Sequence, residues 1–224
     1  LNIASGERAT VGGGSSNDAG GDRATIGGGY DNTASGAGAT VGGGGYDGGS
    51  YAGNQALGNA STIGGGYGNI ITPTAEYATI GGGYYNTASD LYATVGGGTN
   101  NNASAFNATV SGGTNNNANY PYAAVGGGSN NNASNYDATV SGGNYNIASG
   151  IYATVSGGTY NVASGAGASV GGGGYNGSIM GGNQALGVAS TIAGGFRNLI
   201  TTTAGFATIG GGYYNIASGP GATV

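Results

Sequence analysis

The sequence contains no cysteine, histidine, tryptophan or lysine, and only 5% of its 224 residues are charged. Without cysteine there is no disulfide framework, no thiol nucleophile and no Cys/His metal site, so cysteine usage cannot report a redox compartment. Without histidine or lysine, an enzyme would have to work with paired carboxylates held in a cleft, and nothing in the periodic pattern described below makes a cleft. A non-enzyme is expected. The cations Arg8, Arg23 and Arg197 stand against eight acidic residues, a net charge of -5, which leaves no basic patch to follow a phosphate backbone and makes nucleic acid an unexpected partner. Asp18, Asp22, Asp31, Asp47, Asp90 and Asp137 are scattered singly, so neither a calcium lattice nor any other metal or cofactor is expected. The Gly-Gly-Gly runs open no recognisable helix and have no lysine to accompany them, so they do not form a phosphate cradle. No apolar run approaches the ~18 to 20 residues that span a bilayer, and no charged-then-apolar leader opens the chain.

What is abundant is glycine, 57 residues against 3 prolines, and it is phased. The branched residue that closes each Ala-Thr-Val or Ala-Thr-Ile recurs at Val11, Ile26, Val41, Ile63, Ile80, Val95, Val110, Val125, Val140, Val155, Val170, Ile192, Ile209 and Val224. Most steps are of fifteen residues; those from Val41 to Ile63 and from Val170 to Ile192 are of twenty-two, each followed by one of seventeen. The longer rungs, 41–80 and 170–209, match each other at an offset of 129 residues, a second period laid over the first. The whole chain, 1–224, therefore reads as one continuous repeat array. Because it starts in mid-rung at Leu1 and stops at Val224, ahead of the expected glycines, it is expected to be a segment of a longer chain.

Within a rung, the alternation Ala, Thr, Val is that of a short strand with Ala93 and Val95 inward and Thr94 outward. Glycines such as Gly112 and Gly113, or Gly194 and Gly195, then supply a corner. Six places after the anchor comes an asparagine file, Asn17, Asn32, Asn69, Asn86, Asn101, Asn116, Asn131, Asn146, Asn161, Asn198 and Asn215, expected to stack as a hydrogen-bonded ladder. Two places further is an alanine, such as Ala103, Ala118, Ala133, Ala148 or Ala163, usually followed by Ser and often by Gly at a second corner. Such a rung buries little alone, but stacking at ~4.8 Å builds a thin continuous core, so the expected fold class is all-β, a parallel β-solenoid of about fifteen-residue rungs on the order of 60 Å long.

The outward face carries a threonine file, Thr10, Thr25, Thr40, Thr62, Thr79, Thr94, Thr109, Thr139, Thr154, Thr191, Thr208 and Thr223, interrupted by Ala124 and Ser169. It reads as strand propensity and solubility, or as a hydroxyl and methyl array that orders water, the ice-binding alternative. Beside it stand Tyr77, Tyr92, Tyr122, Tyr152 and Phe206, and after the glycine corners come Tyr30, Tyr67, Tyr84, Tyr85, Tyr145, Tyr160, Tyr213 and Tyr214. These rings read as packing, with glycan contact as a further alternative. Asn59, Asn102, Asn107 and Asn132 satisfy the Asn-X-Ser/Thr pattern of a glycan acceptor.

The stretches ASGIYATVSGG from Ala148, ASGAGATVGGG from Ala34 and ASGAGASVGGG from Ala163 resemble the head repeats of trimeric autotransporter adhesins, the YadA-like family, and are similar to repeats in some phage tail fibres. The likeness extends over essentially every rung, although this chain adds a fifteenth residue and the asparagine file. The resemblance implies a left-handed β-roll, homotrimeric around a common axis, displayed at a cell surface or on a virion tail fibre and used for attachment to a host surface, extracellular matrix or glycan. The expected function is an extracellular structural or adhesive fibre whose main partner is itself. Its lateral interface is expected along a stripe seven places after the anchors, Ile147, Val162, Leu199 and Ile216. The stretches GYDGGSYAGNQALGN from Gly45 and GYNGSIMGGNQALGV from Gly174 are expected to bulge outward as loops.

Overall fold

The computed structural model describes residues 1–46, 48–175 and 177–224. Among these residues there is no helix, and the regular structure consists of strands two residues long. They fall into two compact units, 1–114 and 115–224. In the first unit the strands alternate along the chain between two parallel sheets. One sheet takes Ile3–Ala4, Asp18–Ala19, Thr33–Ala34, Gln55–Ala56, Ile70–Ile71, Thr87–Ala88 and Asn102–Ala103. The other takes Thr10–Val11, Thr25–Ile26, Thr40–Val41, Thr62–Ile63, Thr79–Ile80, Thr94–Val95 and Thr109–Val110. The second unit repeats the plan, with Asn117–Ala118 through Ile216–Ala217 in one sheet and Ala124–Val125 through Thr208–Ile209 in the other. Both units are thus parallel β-solenoids.

The register follows from the side chains. Each strand turns its first residue out and its second in, so a slip by one residue would put threonine into the core and valine into water. Thr79 pairs with Thr94 and Ile80 with Val95, while Ile147 pairs with Val162 and Ala148 with Ala163. Flanking backbone bonds extend each short ladder: the Thr94 N–H donates to Ala108 O at 2.9 Å and the Gly96 N–H to Val110 O at 2.9 Å. The core between the sheets is a column of small residues, with Ala93, Val95, Ala103, Ala138, Val140 and Ala148 all fully buried. No rung could hold such a core alone; its copies above and below complete it.

The corners differ in part from the sequence expectation. Of Gly112 and Gly113 only Gly113 takes a positive φ, 89°, and of Gly194 and Gly195 only Gly195, 96°. The second corner is a turn that begins where Ala-Ser-Gly ends: the Ala9 N–H donates to Gly6 O at 3.1 Å, and Arg8 between them has φ 60°. A positive φ at its third residue normally calls for glycine or asparagine. Here Tyr77, Tyr92, Tyr122, Tyr152 and Phe206 occupy that left-handed position, with φ of 58°, 58°, 60°, 58° and 60°. Tyrosines again occupy a left-handed corner after the glycines, at Tyr85, Tyr145, Tyr160 and Tyr214. Every such tyrosine spends backbone energy to stand at a corner with its ring outside.

The long rungs require a correction. Only the middle of each quoted stretch leaves the solenoid: Tyr46 bridges Tyr51 antiparallel above a bond from the Ala52 N–H to Gly45 O, and Tyr175 bridges Met180 above a bond from the Gly181 N–H to Gly174 O. The following Asn-Gln-Ala is back in register, since Gln55 pairs with Thr33 and Gln184 with Val162. These antiparallel bridges pinch off each tip at its base and leave the ladder intact.

Candidate functional site

The most regular polar feature is internal. Asn146 is fully buried; its Oδ1 accepts the Asn161 N–H at 3.0 Å, while its Nδ2 donates to Gly142 O at 2.9 Å and to Gly158 O at 2.8 Å. One amide thus closes its own corner and clamps the next rung. The same pattern runs through Asn17, Asn32, Asn69 and Asn86 in the first unit and through Asn161 and Asn198 in the second. Asn101, Asn116 and Asn131 are also buried, and Asn215 is part-buried with its Nδ2 on Gly211 O at 2.8 Å. The bonds run mainly from side chain to backbone, which explains why asparagine is needed: only an amide of this length offers an acceptor for one rung and donors for two. Two members escaped the sequence count. Six places after Val41 and Val170 lie Asp47 and Asn176, outside the described residues, whereas the ladder is filled by Asn54 and Asn183, each fully buried and bonded in the same way. The signal was present in the sequence as the shared Gly-Asn-Gln-Ala after each tip.

Thr10, Thr25, Thr62, Thr79, Thr191, Thr208 and Thr223 are exposed, and Thr40, Thr94, Thr109, Thr139 and Thr154 are half-buried. Within the first unit Thr10 to Thr109 stand in direct register; within the second, Ala124, Thr139, Thr154, Ser169, Thr191 and Thr208 do so. The opposite sheet is less uniform. Ile147, Val162, Leu199 and Ile216 share its outward file with Gln184, so the apolar stripe is interrupted. In the first unit the same file reads Ile3, Asp18, Thr33, Gln55, Ile70, Thr87 and Asn102. Ile147, Val162, Leu199 and Ile216 thus stand outward in one file of the second unit, while the corresponding file of the first unit is mostly polar.

The aromatic side chains form short stacks at rung spacing. Tyr67 lies parallel to Tyr84 at 4.9 Å, Tyr77 to Tyr92 at 5.3 Å, Tyr145 to Tyr160 at 4.9 Å and Phe196 to Tyr213 at 5.1 Å. Tyr136 meets Tyr122 and Tyr152 edge-on, at 5.4 and 6.3 Å. Partial desolvation, followed by the charges of Tyr122, Asp137 and Tyr152, raises its phenol above the ordinary value. Among the acceptor-pattern asparagines, Asn59 is exposed but engaged, its Oδ1 taking the Ala37 N–H and its Nδ2 donating to Glu76. Asn102 and Asn132 lie in strands, and Asn107 sits at a left-handed corner with φ 54°. Among the described residues no three acidic side chains gather as a metal site would require, and no helix is long and apolar enough to cross a membrane.

No family model and no curated protein sequence matches the chain.

Proposed function

We propose that the chain is a shaft segment of an extracellular structural or adhesive fibre, non-enzymatic, in which fifteen-residue rungs form a left-handed roll and copies associate laterally as a homotrimer. The observation that carries this reading is the threonine file. It is in register within each unit and made only of small side chains, threonine throughout the first unit and threonine with Ala124 and Ser169 in the second, whereas the opposite file changes character along the chain. A surface repeated so evenly suits a partner with the same repeat, and the partner with the same repeat is another copy of this chain. The likeness to adhesin head repeats supports the trimer and a location at a cell surface or virion. Sedimentation equilibrium of the 224-residue chain tests the reading: a trimer is expected, and Thr139→Lys with Thr154→Lys should return it to monomers. A monomer at all concentrations, or a trimer indifferent to those lysines, would refute it.

The register of the same file favours one other reading, an ice-binding solenoid that acts as a monomer. Thr109→Tyr with Thr139→Tyr would then abolish thermal hysteresis, and an absence of hysteresis in the unmodified protein would end that reading.

A further inference from the structure

Arg197 is the only cation among residues 115–224, and Asp137 the only acid. Among the described residues no carboxylate lies within ion-pair distance of its guanidinium. The group is nevertheless held in place. Its centre stands 5.4 Å from the ring of Phe196 and 5.4 Å from that of Tyr214, and Nη1 donates a hydrogen bond to the Tyr214 hydroxyl. Stacking and one bond fix the plane of the fork and leave its remaining donors available. Beside it opens a cleft of about 300 Å³ lined by Gln184, Leu199 and Ile216, which stand in register, by Tyr214, and by Gly181 and Gly182 after the pinched tip.

The other copy of this rung is a built-in comparison. At the offset of 129, Arg197 corresponds to Gly68, Gly181 to Ala52, Leu199 to Ile70, Tyr214 to Tyr85 and Ile216 to Thr87. In the first copy the Tyr85 ring covers the backbone of Gly68, so closely that a Cβ there would lie 2.6 Å from Cε1. In the second copy the arginine stem lies over Gly181, where a Cβ would come 2.4 Å from Nε. The two exchanges go together: the rung that gains the arginine loses the methyl that would displace it. A surface arginine kept only for solubility would not need such a seat.

We propose that this cleft binds a carboxylate-bearing sugar, a hexuronic acid or similar acidic residue of a surface or matrix glycan. The free edge of the guanidinium takes the carboxylate as a charge-assisted pair. The Tyr214 ring with Leu199 and Ile216 takes the C–H face of the sugar, and the Gln184 amide is placed to meet a hydroxyl. The volume suits a single ring at the small end of ligand sites. Binding here does not depend on how copies associate, because the threonine file lies on the other sheet.

The test is calorimetric titration of the whole chain with a hexuronic acid tetramer, with the matching neutral hexose tetramer, with acetate and with a tetra-aspartate peptide. The acidic tetramer should bind saturably at one site per chain, and Arg197→Gln should weaken it by about tenfold or more. The double change Gly181→Ala with Arg197→Gly, which restores the first copy's residues at these two positions, should also abolish binding while the far-UV circular dichroism stays unchanged. No saturation by about 10 mM, or equal binding by Arg197→Gln, would overturn the proposal. So would acetate or the aspartate peptide binding as tightly as the acidic tetramer, or the neutral tetramer doing so.

Discussion

Replacing Asn146 by alanine leaves the Asn161 N–H without its acceptor and Gly142 O without its donor, while Gly158 O keeps a second bond from the Asn144 N–H at 2.9 Å. One orphaned buried donor, one carbonyl left without its donor and one carbonyl weakened add to a loss of about 3–5 kcal/mol. Asn146→Asp is the sharper change because it keeps the shape and the acceptor. It turns both donors into carboxylate oxygen facing carbonyl oxygens at 2.9 and 2.8 Å, so at neutral pH it should cost more than alanine. The folded-state pKa of the new carboxyl would be raised by burial and by those carbonyls, above the ordinary value of about 3.9. The variant should then be most stable below that ordinary value and lose stability as pH rises through the raised one. Chemical denaturation of the parent, both variants and the exposed control Asn119→Ala, at pH 4 and pH 7, measures these differences. Variants within about 0.5 kcal/mol of the parent, or an aspartate variant indifferent to pH, would refute the clamp.

Gly143→Ala should be similarly damaging, because φ is 93° and a Cβ there would lie 2.2 Å from Gly158 O and 2.5 Å from Asn146 Nδ2; denaturation should show a loss of about 3 kcal/mol or more, with Ser141→Gly near neutral. At the left-handed corner held by Tyr152, φ 58°, the order of stability among variants should be glycine first, asparagine next and valine last. Glycine and valine should be separated by about 1–2 kcal/mol in thermal melts. Spectrophotometric titration should find the Tyr136 phenol ionising above the ordinary value, and stability should fall as pH rises through its elevated value; Asp137→Asn should bring that value down.

The period, the inward Ala and Val, and most of the asparagine ladder were legible because identical roles recur at identical spacing, and stacking in register turns spacing directly into contact. Asn54 and Asn183 were missed because a fixed count from the anchor runs into the inserted tip; what marks them is the Gly-Asn-Gln-Ala after it. The left-handed tyrosines could not be read from sequence, since tyrosine is a strand former by propensity and only the turn above it imposes φ near 58°. The stripe of Ile147, Val162, Leu199 and Ile216 was legible as one file, but outward positions are under no packing constraint within the solenoid, so its composition changes from rung to rung. Arg197 drew notice only as a count of cations. Its seat over Gly181 depends on how the side chain folds across the corner, which spacing in the sequence does not fix.

The most direct test of the fibre reading is cryo-electron microscopy of natively isolated material, viewed in cross-section. The account predicts three solenoids around a common axis, their threonine files turned toward one another. Single solenoids with that file bare to water would contradict it.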